Sequence, residues 1–208
     1  MSSEVEVNYT RRNEIEEARP LEVQMAFRAL QDAIGRNVTL RRDLLGMIFT
    51  MSSIGAGCRH CQSHGAFGLS RGGVPVEKIQ ALWEFEASQL FSDAERAALR
   101  FARDASLVPN AVTPRHHAEL RQHFTDRQIA EILTQVCVAG WLNRWSDSLA
   151  VVTDQESVDW AQENLAPVGW ALGKHAGDQS EQRKGGPATL RRMEEEAWEK
   201  EQAAKGKQ

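Results

Sequence analysis

The chain has 208 residues, 41% of them hydrophobic and 26% charged, and a formal net charge of −4. That balance argues against the basic surface of a nucleic-acid binder, and no stretch reaches the ~18 uninterrupted apolar residues of a membrane helix. The length suffices for one core with polar ends to spare. The acidic start, Met1-Ser2-Ser3-Glu4, lacks the apolar run of a secretory signal. The expected compartment is the cytoplasm, where a CxxC pair is more often catalytic or metal-binding than a structural disulfide.

Residues 1–19 are rich in Glu and Arg and read as a loosely held arm ending at Pro20. Apolar positions 23, 26, 27, 30, 33 and 34 predict a helix over 21–34, stopped at Gly35. A second helix is predicted over 40–54, capped by Thr39 and apolar around most of its circumference, hence buried on several sides. Gly55-Ala56-Gly57 breaks it, and a third helix starts near Cys58 and runs to about Ser70. A fourth is predicted over 76–87 after Val74-Pro75.

Ser92-Asp93-Ala94-Glu95 is a capping box opening a helix to about Leu107. Thr113-Pro114 opens a short helix over 115–123 carrying His116, His117 and His123, and Thr125-Asp126-Arg127-Gln128 opens the longest, over 126–151. That helix carries Cys137, expected to be an inert core thiol, and Trp141, expected to be a core or interface anchor. One more helix is predicted over 155–171. No alternating strand pattern exceeds four residues, so the fold class is all-α with short antiparallel connections. The domain spans 20–172, and residues 173–208 read as a charged, disordered tail.

The chemistry concentrates in Cys58-Arg59-His60-Cys61-Gln62-Ser63-His64. At ~100° per helical residue, with Cys58 at zero, Cys61 falls at ~300°, His64 at ~240° and His60 at ~200°. Cys58 sits in the first turn, beside unpaired N–H groups and the positive end of the dipole. Both the dipole and a nearby imidazole favour thiolate. A thiolate attacks peroxides or disulfides, and a second Cys three residues away resolves the sulfenic acid as a disulfide. Cys61, next to both Cys58 and His64, is expected to lead, with His64 carrying the proton. The rival order puts the helix-terminal Cys58 first. Two readings compete: a non-catalytic helical oligomer whose Cys pair senses redox state or merely packs, and a zinc site from the two Cys with His60 and His64, weakened because all four lie on one short segment. Gln62 stands where a c-type haem motif needs His, which excludes that reading.

This motif, with Gly65-Ala66 after it, resembles the cysteine motif of the carboxymuconolactone decarboxylase-like proteins, which include alkylhydroperoxidase D. The resemblance continues through Ala81–Glu86, Phe91–Leu99 and Leu142–Leu149 and covers about residues 20–152. It implies an alkylhydroperoxidase D-like helical bundle that forms homo-oligomers. It also implies reduction of a small hydroperoxide by the CxxC pair through a redox-active disulfide. No bound cofactor or metal is implied, and an external dithiol or thioredoxin-like protein supplies the electrons. Cys58, Cys61 and His64 carry over as catalytic residues. The family His stands one position later, at Gly65, and the relay Glu stands twelve residues before the first Cys, at Gly46. Glu84, Glu86 and Asp147 are the candidates to replace that Glu, with His60 as a further relay residue. The decarboxylase branch does not depend on this Cys pair, so ring-opening ranks below redox chemistry.

Overall fold

In this computed structural model the chain is described over residues 18–177 and 187–205, with Ile15; the expected arm, 1–19, lies almost wholly outside them. Among the described residues every regular element is helical: α1 Leu21–Asn37, α2 Arg42–Ala56, α3 Arg59–Arg71, α4 Val76–Gln80, α5 Asp93–Ala105, α6 Pro114–Leu120, α7 Asp126–Leu149, α8 Gln155–Leu165 and α9 Pro187–Lys205. None is long and apolar enough to cross a membrane.

α2 is the hub. It packs against α3, α5 and α7, so apolar side chains are wanted on every side of it. Met47, Ile48 and Met51 are accordingly buried completely or nearly so. Two glycines let α3 come close. A Cβ on Gly46 would stand 2.7 Å from Leu69 Cδ2, and one on Gly65 2.5 Å from Thr50 Oγ1. These are the positions where the resemblance expects the relay Glu and His, and a side chain at either would have to displace the neighbouring side chains, Leu69 at Gly46 and Thr50 and Phe49 at Gly65.

Several predicted boundaries move, each for a local reason. α1 runs through Gly35 to Asn37, and Val38 N–H closes it on the Ile34 carbonyl. The 76–87 helix is instead α4 followed by a 3₁₀ turn, Ala81–Glu84; that tighter winding sets Leu82 and Phe85, three apart, on one buried face. α8 stops at Leu165 because Pro167 cannot continue it, and a 3₁₀ turn, Ala166–Val168, comes next. Thr39 does not cap α2; its hydroxyl holds Glu131 at 3.1 Å. Cys137 is exposed, not core: its side of α7 faces an open groove. Residues 173–177, expected to begin the tail, fold back on the domain, and α9 lies against α1.

The capping box at α5 is built as expected and does more than cap. Glu95 Oε2 accepts from Ser92 N–H at 2.9 Å, and Oε1 receives Lys78 Nζ and Arg41 Nη2, each at 2.9 Å. Its side chain is almost buried, so one carboxylate ties the starts of α2, α4 and α5 together. Partners left facing a vacated buried charge site make removal expensive. Glu95→Ala should lower stability in urea unfolding by about 3 kcal/mol; a loss within ±0.5 kcal/mol, the range of ordinary surface substitutions, would contradict this role.

Candidate active site

Three chain segments meet at the Cys pair. The first is the α2–α3 corner. Gly57 closes α2 in the left-handed region at φ 76°, a conformation glycine takes without strain. Cys58 then turns in, its N–H on the Ser53 carbonyl at 3.1 Å, and becomes the N-cap of α3. Its sulfur accepts from the Cys61 N–H at 3.4 Å. Cys58 is 0% and Cys61 3% exposed.

The second segment is the end of α7 and the link to α8. Ala150, left-handed at φ 49°, ends α7 and points the chain back across α3. Asp147 lies on the last turn. Val151 offers its carbonyl, Thr153 Oγ1 meets His60 Nδ1 at 3.0 Å, and Asp154 caps α8 through Ser157 N–H at 3.1 Å. The third is the strap after α8. Trp170 is buried, its indole N–H on the Arg59 carbonyl at 3.3 Å, and a 3₁₀ turn, Gly173–His175, delivers His175 into the interior with no exposed surface.

His175 Nδ1 lies 2.8 Å from the Val151 carbonyl, and Nε2 lies 3.3 Å from Asp147 Oδ1. Donor atoms of Cys58, Asp147 and His175 all lie within 4.8 Å of one another. A carbonyl and a carboxylate only accept, so both contacts favour a ring that carries a proton on each nitrogen. Burial alone lowers the His175 pKa; hydrogen bonds to the Cys58 sulfur, the Val151 carbonyl and Asp147, with the charge of Cys58, raise it overall.

The two thiols are driven apart. The Cys61 thiol hydrogen-bonds Cys58; that bond, with the bond and charge of His175, overcomes burial and brings the Cys58 pKa down to about 5. The same bond, burial and the Cys58 charge push Cys61 well above its ordinary value; the Ser146 hydroxyl opposes this and Asp147 adds to it. The two thiols are therefore biased in opposite directions, Cys58 toward thiolate and Cys61 toward thiol.

The sequence candidates divide. Cys58, Cys61 and Asp147 come together, with the His60 ring 5.6 Å from that of His175. His64 is held elsewhere. Its Nδ1 is on the His60 carbonyl at 2.9 Å and its Nε2 bonds Asp154. Burial would raise the Asp154 pKa, but the hydrogen bond and charge of His64 and bonds from Ser157 bring it below the usual carboxylate range. Glu84 is exposed, and Glu86 pairs with Arg100 at 2.6 Å on the surface of α5, because α4 and its 3₁₀ turn carry both away from the Cys pair. Sequence reading missed His175 and Asp154. The run Val168-Gly169-Trp170-Ala171-Leu172 was the available sign that the chain still packs there, and Asp154 with Ser157 is a legible N-cap.

Beside the cluster runs a groove of about 710 Å³ between α7 and the loop after α5, walled by Val108, Leu133, Val136 and Trp141. Asn143 and Asp147 line it too, so Asp147 belongs to both groove and cluster. Asn143 Oδ1 accepts from Ser53 at 3.0 Å, and its buried Nδ2 has no protein partner.

No protein-family model and no curated protein matches the chain. Solved structures do. The debrominase Bmp8, in its apo form, is 30% identical with a TM-score of 0.64, over 67% of this chain and 75% of that one. Its cysteine-to-alanine variant in complex with 2,3,4-tribromopyrrole is 29% identical, also at 0.64, over 67% and 74%. An Agrobacterium tumefaciens protein of unknown function, whose description links it to the antioxidant defence protein AhpD, shares the fold at 19% identity and a TM-score of 0.61, over 71% and 97%. The all-α fold, the Cys motif and these likenesses agree: the chain belongs to the carboxymuconolactone decarboxylase/AhpD family.

Proposed function

We propose that the protein is a thiol-dependent hydroperoxide reductase in which Cys58, not Cys61, makes the first attack. The carrying observation is the buried Cys58 sulfur within 4.8 Å of the His175 and Asp147 donor atoms, a setting that lowers the thiol pKa and raises that of the imidazole. The Cys58 sulfur takes the outer oxygen of ROOH, the O–O bond breaks, and His175 Nε2–H gives its proton to the departing alkoxide as ROH. The Cys61 thiol attacks the Cys58 sulfenic acid, water leaves, and a disulfide forms. An external dithiol or thioredoxin-like protein returns two electrons and two protons. Such a donor pool, and a reducible Cys pair, suit a cytoplasmic setting. Exposed Leu133 and Trp141, each 45% exposed, support the expectation of a homo-oligomer.

The groove supports a substrate with an apolar body and an acceptor for Asn143 Nδ2. It also favours one second reading, reductive dehalogenation of a small haloaromatic, which the 30% likeness to a debrominase supports. There the Cys58 sulfur takes the halogen, the ring carbon keeps the electron pair of the broken bond and is protonated by His175 Nε2–H, and the Cys61 thiol displaces halide to give the same disulfide. The two readings share every protein step after the first.

Reactivity of Cys58 toward iodoacetamide should titrate with a midpoint near 5. The direction of the shift sets the sign: the thiolate persists above that pH and is lost as pH falls through it. His175→Gln should move the midpoint upward; a midpoint near the free-thiol value of ~8.5 in the native protein would overturn the assignment.

Steady-state turnover of cumene hydroperoxide with a dithiol donor should vanish in Cys58→Ser. Cys61→Ser should still consume about one peroxide per chain in a single turnover. His175→Gln should slow the peroxide step by about 100-fold. No turnover of cumene hydroperoxide or tribromopyrrole with any dithiol donor would sink both readings.

A further inference from the structure

We propose that Cys58, Asp147 and His175 also form a binding site for one zinc ion, which blocks Cys58 as a nucleophile. Sulfur, nitrogen and oxygen here are the three donor types zinc takes, and they come from three separated segments: the cap of α3, the last turn of α7 and the strap. That contrasts with the four clustered Cys and His of the motif, of which His64 is committed to Asp154. The three donor atoms lie within 4.8 Å of one another, and Nε2 and Oδ1 are already 3.3 Å apart. Ligands at the usual zinc distances sit ~3.5 Å from each other, so only a modest contraction is needed.

The surroundings fit a metal-bound imidazole. Nδ1–H donates to the Val151 carbonyl, which fixes the ring and leaves Nε2 as the ligating atom, the usual outer arrangement of a zinc histidine. Lys174 occupies Asp147 Oδ2 at 2.6 Å and leaves Oδ1 to the ion. Asp147 also lines the groove, so this ligand reaches the surface of an otherwise buried site. Cys61 is outside the cluster, so the fourth position falls to water. The exchange balances: zinc takes the place of the proton on His175 Nε2, that proton leaves to solvent, and no electron moves. A thiolate donor excludes magnesium and calcium as the natural occupants.

The test uses the full chain, fully reduced and stripped of metal. Titration against a chromophoric chelator should give one zinc per chain. Cobalt in its place should show a thiolate-to-metal charge-transfer band, and zinc should slow alkylation of Cys58 by at least about 10-fold. Asp147→Asn and His175→Gln should each weaken binding by about 10- to 100-fold. Cys58→Ser should remove the band, and Cys61→Ser should keep it. A reduced native chain that takes up no stoichiometric zinc overturns the proposal, and so does a band that survives Cys58→Ser or is lost in Cys61→Ser alone. The native-chain titration does not depend on any variant folding. Zinc binding is read without turnover, so a protein that binds zinc and reduces no peroxide, or the reverse, separates this proposal from the function above.

Discussion

The arrangement depends on one buried pairing, the Cys58 sulfur with the His175 imidazole, which lowers the pKa of the thiol and raises that of the ring. Neither charge is stable alone in an interior from which water is excluded. Together, with Asp147 behind the imidazole and the Cys61 thiol donating to the sulfur, each is biased toward its charged form. The pairing also explains the path of the chain after α8. The strap gives up freedom over Gly169–Ala176, and the return is a buried Trp170, a bond to the Arg59 carbonyl, and His175 in place.

The same constraint accounts for the departure from the family pattern. α2 and α3 are pressed together through Gly46 and Gly65, where a Glu and a His would have to stand. No proton-carrying side chain stands at either of these two positions. They enter from the other side of the Cys pair, on the end of α7, the α7–α8 link and the strap. Two His–Asp pairs result. His175 with Asp147 faces Cys58, and His64 with Asp154 braces α3 against the start of α8.

Most of the scaffold was legible because local rules are strong where they act. The Ser92 and Thr125 capping boxes, Pro114 at its helix start and the all-round apolar face of α2 each predict what is observed. The Cys pair was legible from spacing alone. The order of the two thiols was not. A helical wheel places Cys61 between partners, whereas Cys58 is not on the wheel: it is the cap, with extended backbone, and collects the N–H and the imidazole. His175 was hidden for a different reason. It belongs to a short, irregular strap whose placement is set by contacts more than 100 residues away in sequence, such as Trp170 on Arg59, with |i−j| of 111. The polar, Gly-containing composition of residues 176–186 made the strap look like tail.

The charge state of His175 can be read directly from its ring nitrogens. In ¹⁵N-edited spectra of the reduced protein at neutral pH, both Nδ1 and Nε2 of His175 should appear protonated, and Cys58→Ala should lower the pH at which Nε2 loses its proton. A neutral ring, with Nε2 bare in the native protein and unaffected by removal of the Cys58 sulfur, would contradict the account.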